Sequence, residues 1–330
     1  MKRFALIGAG FIGQVHAANL AAHSDIDFQL IYDVDPRRAA DLARQSGTSH
    51  ATDISDVFSS SIDAVYIASS THTHGDYLRR AADAGVAVLC EKPIDADLSA
   101  ARETVDYVEA AGIMVMMDFN RRFDRDYVEL KRLIKEGSIG DIELMQLSSR
   151  GPSVPPLEYI AVSGGQMRDQ TIHFFDLTRW LSDEDPIDVY VRGSALAEPK
   201  LTEYGDVDTS VATLRLPTGA LVQIDSVRRT TYGYDERVEV FGSRGMIEAA
   251  RQRRGNVTRY FDGQEVLDGL HVGWFERVRP TYMAALNSFV TSLEAEIPPS
   301  PSLRDALKAQ SIAEAASASL VSGRPEIIEY

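Results

Sequence analysis

The stretch Cys90-Glu91-Lys92-Pro93 puts a cation directly behind the apolar run Gly85-Val86-Ala87-Val88-Leu89. Such a run reads as a buried strand, and ligands of open α/β sheets sit in the crevice outside the strands' carboxyl ends. An ammonium delivered there stabilises negative charge developing on a substrate oxygen. Pro93 stiffens the turn that aims it, and an X-Pro bond takes the cis form at modest cost. Read alone, these four residues fit an ordinary ion-paired surface turn better. A second candidate is the pair Asp169 and His173 within Gln166–Leu181, where Ile172, Phe175, Leu177 and Trp180 keep helical register behind Gly164-Gly165. Four residues apart on one helix face, the carboxylate fixes the ring's tautomer and raises its basicity, as a general base requires. A surface ion pair or a core histidine explains the same spacing equally well.

The elements that must position these groups begin at the amino end. Arg3–Ile7 reads as a strand, and Gly8-Ala9-Gly10-Phe11-Ile12-Gly13 opens a helix running to about Ala22. Here G-x-G-x-x-G stands in the setting it needs: one glycine for a tight turn, one for the approach of a pyrophosphate, one for close helix packing. The helix amino end attracts the phosphates. Phe28–Tyr32 is a second strand ending at Asp33, twenty residues after Gly13, the spacing at which an acid meets the adenosine ribose. A carboxylate there accepts from a 2′-hydroxyl and repels a 2′-phosphate, which favours NAD over NADP; Arg37 and Arg38 read as solvated charges on the next helix. The alternation continues through a strand Asp63–Ala68, a helix His74–Ala84, the strand leading to Lys92, a helix Leu98–Ala111 and a strand Ile113–Met117. The loop Ser69–His74 either runs beside the nicotinamide ribose, with Ser70, Thr71 and His74 as contacts, or supplies helix caps. The cofactor domain therefore spans 1–119.

Residues 120–330 read differently. After a helix Tyr127–Lys135 and a strand Ile142–Ser148 comes a proline-bearing loop, Gly151–Gly165, suited to roof a cleft. Strands Ile187–Arg192, Thr209–Leu216, Leu221–Val227, Arg237–Phe241 and Gly245–Ala249 call for a large, open, mainly antiparallel sheet in an α+β domain. Tyr232-Gly233-Tyr234-Asp235 interrupts them as an aromatic loop that either stacks on a ligand or covers the sheet. Helices Arg279–Ala295 and Ser302–Ser322 and a short strand Glu326–Ile328 follow. A broad sheet with one face left over pairs with a second subunit.

Composition narrows the function classes. Lys plus Arg number 34 against 49 acids, a net charge of −15 that repels nucleic-acid phosphate and anionic membranes alike. The single cysteine, Cys90, excludes an internal disulfide and a cysteine-based metal site. His72 and His74 lie i, i+2 with no acidic or cysteine companion, so no metal is expected. Glycines break the apolar run after Met1-Lys2-Arg3, which argues against a secretory leader and for a cytoplasmic protein.

On these residues the chain resembles the Gfo/Idh/MocA oxidoreductase family, and within it the bacterial inositol 2-dehydrogenases. The resemblance rests on Gly8–Gly13, Asp33, Glu91-Lys92-Pro93, Asn120-Arg121-Arg122-Phe123, Gly164-Gly165 with Asp169 and His173, Tyr232–Asp235 and Gly242-Ser243-Arg244-Gly245. It implies NAD-dependent oxidation of a secondary alcohol on a cyclic polyol such as myo-inositol, catalysed by Lys92, Asp169 and His173. Gly8, Gly10, Phe11, Ile12, Gly13, Asp33, Ser70, Thr71, His74, Glu91 and Lys92 then hold the cofactor. Lys92, Asn120, Arg122, Asp169, His173 and Tyr234 hold the substrate, and a homotetramer or dimer forms through the second sheet. Two positions depart from the pattern: Gly151 and Phe174 stand where close members carry acids, which bears on the identity of the polyol. Another sugar dehydrogenase of the same family, and a non-catalytic NAD-binding sensor, remain as alternatives.

Overall fold

The computed structural model describes residues 1–58 and 61–330. The chain divides into two compact units, residues 1–120 with 281–307, and residues 121–280 with 308–330. Residues 281–307, placed with the second domain on sequence grounds, cluster with the first.

The first unit contains β1 (Lys2–Ile7), α1 (Phe11–Ala22), β2 (Ile26–Tyr32), α2 (Pro36–Ser46), β3 (Ser49–His50), β4 (Ala64–Ile67), α3 (His74–Ala84), β5 (Ala87–Glu91), α4 (Leu98–Ala111) and β6 (Val115–Asp118). Its six strands are ordered β3-β2-β1-β4-β5-β6 and pair in parallel throughout. This is the doubly wound order whose reversal between β1 and β4 opens a crevice at the strand ends. The strands are apolar because both faces are covered: every residue of β4 and β5 is buried. Local chemistry fixes the helix ends. Asp35 and Asp97 cap α2 and α4 through their side chains, and Gly47, Gly85 and Gly112 close α2, α3 and α4 in the left-handed conformation. Gly85 thus ends a helix, and β5 starts two residues after the apolar run does.

The second unit contains α5 (Arg125–Lys135), β7 (Ile142–Arg150), α6 (Leu157–Ser163), α7 (Ile172–Ser182), β8 (Asp188–Ser194), β9 (Thr209–Arg215), β10 (Leu221–Val227), β11 (Asp235–Gly242), β12 (Gly245–Ala249), β13 (Thr258–Phe261) and β14 (Gln264–Leu267). Near the carboxyl end α8 (Trp274–Ala295) and α9 (Leu303–Ser322) each run from one unit's residues into the other's, and β15 (Glu326–Ile327) closes the chain. The large sheet is ordered β12-β11-β7-β10-β9-β8-β15 and is antiparallel except between β7 and β10. Along β9, Ser210, Ala212 and Leu214 are buried while Val211, Thr213 and Arg215 are exposed, so one face carries the core and the other is open.

Two elements differ from the sequence reading. The prolines of Gly151–Gly165 lead into a short helix, α6, instead of an uninterrupted loop. Residues 258–267 form a separate hairpin, β13–β14, turned by Asp262 and Gly263 at φ 49° and 70°. Asp-Gly between two four-residue strands is the expected turn chemistry, and its signal in the sequence is weak because the flanking strands are short and exposed.

Candidate active site

In the first unit the glycine motif separates into what the fold needs and what it leaves open. Gly8 sits at φ 104°, and a Cβ there would lie 2.5 Å from the Ala68 carbonyl oxygen at the end of β4. A Cβ on Gly13 would lie 2.0 Å from the Gly8 oxygen. Gly10 is different: its φ of −72° suits any residue and a Cβ would meet nothing within 4 Å. Nothing in the protein demands glycine there, so the open space at the α1 amino end fits the close approach of a pyrophosphate. Gly13→Ala is therefore expected to prevent normal folding. Gly10→Ala should melt within about 2 °C of wild type and lose about tenfold or more in NADH affinity, read by thermal melting and fluorescence titration.

Asp33 follows β2, and its carboxylate accepts from the backbone of Ala9 at 2.7 Å and of Asp35 at 2.8 Å. It thus braces the glycine loop, with further lone pairs left for a ribose hydroxyl. Phe11 is exposed and Ile12 half-buried on the first turn of α1. After β4, Thr73 bonds Ser69 and the Ser70 carbonyl, whereas the hydroxyls of Ser70 and Thr71 make no hydrogen bond among the described residues. That favours the ligand-facing alternative for these two. His74 is a correction: fully buried, its ring faces the Pro93 carbonyl at 2.7 Å and the Ser69 carbonyl at 3.1 Å, and burial pushes its proton affinity down. With both ring nitrogens on backbone it holds loops and has no face for the cofactor. Lys92 is half-buried at the end of β5 and the Lys92–Pro93 peptide is cis. Beside it the buried Glu91 meets His16 of α1, Oε1 to Nε2 at 2.9 Å. Asn120 is buried and donates through Nδ2 to Thr281 at 2.9 Å.

In the second unit, residues 167–171 form a π-turn leading into α7. Such turns mark functional sites, and their wider pitch brings positions four apart closer to one line. Gln170 anchors this one, donating to Ser149 and to the Val227 carbonyl, and Thr171 bonds Ser226. Asp169 accepts from the Tyr159 hydroxyl at 2.9 Å and lies 3.9 Å from the buried Arg228 guanidinium. His173 is buried in α7, with Nε2 3.5 Å from Arg121. Arg121 also donates to Glu236 at 3.1 Å and to the Tyr234 hydroxyl at 3.3 Å, and that hydroxyl donates to Glu236 at 2.5 Å. Burial, then Glu236, raises the Tyr234 phenol far above its ordinary range, so its proton stays on Glu236's side of the network.

Arg122, read from the sequence as a substrate contact, makes a two-pronged bond to Asp176, at 2.8 and 2.6 Å, with both side chains buried. Nε and Nη2 are engaged there, which points to a part in holding the fold, and its neighbour Arg121 faces His173. Sequence reasoning missed Arg121 because adjacent arginines in a tight turn look alike until their partners, 54 and 115 positions away, are known. Arg122→Ala takes a buried cation away from the buried Asp176 carboxylate and is expected to cost about 3–5 kcal/mol in denaturant unfolding, with kcat of the folded fraction within a few-fold of wild type.

Family models match both halves of the chain. Residues 2–119 match an oxidoreductase family with an NAD-binding Rossmann fold, and residues 127–248 match the GFO/IDH/MocA C-terminal domain. The chain belongs to the Gfo/Idh/MocA oxidoreductases. It is 36% identical over 322 residues to the inositol 2-dehydrogenase of Rhizobium meliloti, covering 98% of each chain. With the myo-inositol 2-dehydrogenase of Thermotoga maritima it shares 37% over 330 residues, 99% of this chain and 98% of that one. The crystal structure of scyllo-inositol dehydrogenase from Lactobacillus casei, with bound NAD(H) and scyllo-inositol, superimposes with a TM-score of 0.92 at 25% identity over 99% of each chain. As a Gfo/Idh/MocA oxidoreductase the chain uses NAD, and the glycine cradle described above fits it. Among the described residues, no helix is long and apolar enough to cross a membrane.

Proposed function

We propose that this oxidoreductase is an inositol 2-dehydrogenase, oxidising one secondary alcohol of an inositol to the ketone. The observation that carries the reading is the similarity to inositol dehydrogenases along the whole length of a chain that places Lys92 at a strand end and Asp169 and His173 on the π-turn and α7. The alcohol must lose a proton from oxygen and a hydride from carbon. The chemistry supplied by NAD when bound is acceptance of that hydride.

His173 takes the hydroxyl proton. Arg121 has only donors, so the ring nitrogen facing it is the unprotonated one, and a 3.5 Å contact leaves that lone pair usable by a base. Asp169, held by Tyr159 one turn before His173, offsets the charge the ring acquires. Lys92 hydrogen-bonds the same substrate oxygen and stabilises its developing alkoxide character. Gly8, Gly10, Phe11, Ile12, Gly13, Asp33, Ser70, Thr71 and Glu91 bind the cofactor, and Asn120, Arg121 and Tyr234 bind the polyol's other hydroxyls. Two further readings complete the proposal. The enzyme works in the cytoplasm, where its buried Cys90 thiol, raised in pKa chiefly by burial, stays reduced. It assembles as a homotetramer through the open face of the large sheet, where Val211, Leu221, Phe241 and Met246 are exposed. Leu221→Lys is expected to yield smaller assemblies by light scattering, with each unit's melting unchanged.

The deciding experiment is NADH formation at alkaline pH across a panel of inositols and aldoses, repeated with NADP. Turnover of an inositol with NAD at least about tenfold more efficient than of any aldose supports the reading. Preference for an aldose, or no turnover with any member, overturns it.

A further inference from the structure

Two buried histidines outside the proposed chemistry close on one turn from opposite sides. His16, from α1, is wholly buried with its ring stacked on Tyr66 of β4, centroids 3.8 Å apart and planes at 27°, and edge-on to Tyr282 at 5.3 Å. Its Nε2 meets Glu91 at 2.9 Å and lies 3.9 Å from Asp118. Both are carboxylates, acceptors when ionised, so Nε2 carries the hydrogen and donates it to Glu91. The Tyr66 hydroxyl donates to Asp118, which fixes the second carboxylate at the end of β6. His16, Glu91 and Asp118 are also the one group of metal-ligating types that draws together among the described residues. The 2.9 Å contact is a hydrogen-bond length, and a proton accounts for it.

His74, from α3, reaches the same turn from the far side of β5. Burial depresses its proton affinity, so the ring is neutral and has one N–H to give. The shorter contact, Nδ1 to the Pro93 carbonyl at 2.7 Å, receives it, while Nε2 faces Ser69. A core histidine need only find any acceptor. These two bond the residues immediately before and after Lys92, one by side chain and one by backbone, and neither touches Lys92 in the contacts described above.

We propose that His16 and His74 are positioning residues that clamp the Glu91–Pro93 turn and so fix the aim of Lys92. The inference rests on the reading of Lys92 as a working residue. A misplacement of about 1 Å in a reacting geometry costs as much as 10²-fold in rate, so a clamp of this kind acts on kcat and leaves cofactor affinity nearly untouched.

The test uses the full-length enzyme with NAD and the best inositol of the panel. His16→Phe keeps the ring on Tyr66 and removes the donor; His16→Gln restores an amide N–H close to the place of Nε2. His74→Phe and His74→Asn do the same for Nδ1. Both phenylalanine variants are expected to lose about 10- to 100-fold in kcat, with the NADH dissociation constant within about threefold of wild type, and the amide variants to recover to within several-fold. A crystal structure of His16→Phe should show the Glu91–Pro93 backbone displaced, and that of His16→Gln should not. Wild-type kcat in His16→Phe, or amide variants as slow as the phenylalanine ones, overturns the clamp; the His16 arm decides alone if His74→Phe does not fold. Normal turnover in Lys92→Met would sink the reading of Lys92 instead, whereas a slow Lys92→Met beside a fast His16→Phe sinks only the clamp.

Discussion

Lys92→Met is expected to lower kcat by about 10²–10³-fold while NADH binds within about threefold of its wild-type affinity. Methionine keeps an unbranched stem of similar length, so the packing at the end of β5 is preserved and only the donor is lost. The neighbours on either side are pinned, Glu91 by His16 and Pro93 by His74, and a substitution at 92 has little to propagate through. The ammonium matters most when charge builds on the substrate oxygen, so the loss belongs in kcat as well as kcat/KM, with KM changed little. Deuterium at the carbinol carbon should slow the variant by the full intrinsic isotope effect, because hydride transfer then limits turnover. Rapid-mixing turnover with labelled inositol and a fluorescence titration with NADH measure both halves of the expectation. Near-wild-type kcat would remove Lys92 from the chemistry.

The first unit was legible because its signals are local. A strand, a glycine turn and a helix start within a dozen residues specify β1 and α1, and the acid ending β2 follows at fixed spacing. β5 itself was legible, but it runs two residues past Leu89, through a buried Cys90 and Glu91, because Glu91 finds a partner in His16. His16 and His74 stayed silent for the opposite reason. Their partners lie 75 and 19 residues away, and no periodicity distinguishes a histidine that holds a turn from one that fills a core. His74 follows a strand-end loop where cofactor contacts are expected; the fold turns its ring inward onto two carbonyls.

In the second unit pairing mattered more than pattern. Alternation in β9, β10 and β11 announced the sheet, but the parallel β7–β10 pairing depends on a crossover that no local stretch encodes. The same holds for charge. Arg121 and Arg122 share one turn, yet one is absorbed by Asp176 and the other stands against the imidazole. The i, i+4 spacing of Asp169 and His173 was legible, while the π-turn between them and the second carboxylate network, Glu236 with Tyr234, came only with the structure.

That network makes the pH dependence of His173 predictable in sign. A general base works deprotonated, so kcat/KM rises with pH through the ring's pKa and is lost below it. Facing His173 from the second unit are Arg121 at 3.5 Å, with Tyr234 and Glu236 behind it, Asp169 one turn earlier, and Asp176 one turn later already neutralised by Arg122. The Arg121 charge lies against the ring nitrogen that takes the proton, and Glu236 partly cancels that charge. Glu236→Gln removes one negative partner of Arg121, so the acid limb should move to lower pH. Arg121→Gln removes the repelling charge and leaves Glu236, so the limb should move to higher pH, each by about one unit. His173→Ala should lose about 10²–10⁴-fold in rate and abolish the limb altogether. Steady-state profiles of kcat/KM from pH 5 to 10 for the three variants test this. Shifts of the same sign in Glu236→Gln and Arg121→Gln would show that the limb belongs to another group, because only a base lying against the guanidinium responds oppositely to the loss of each partner.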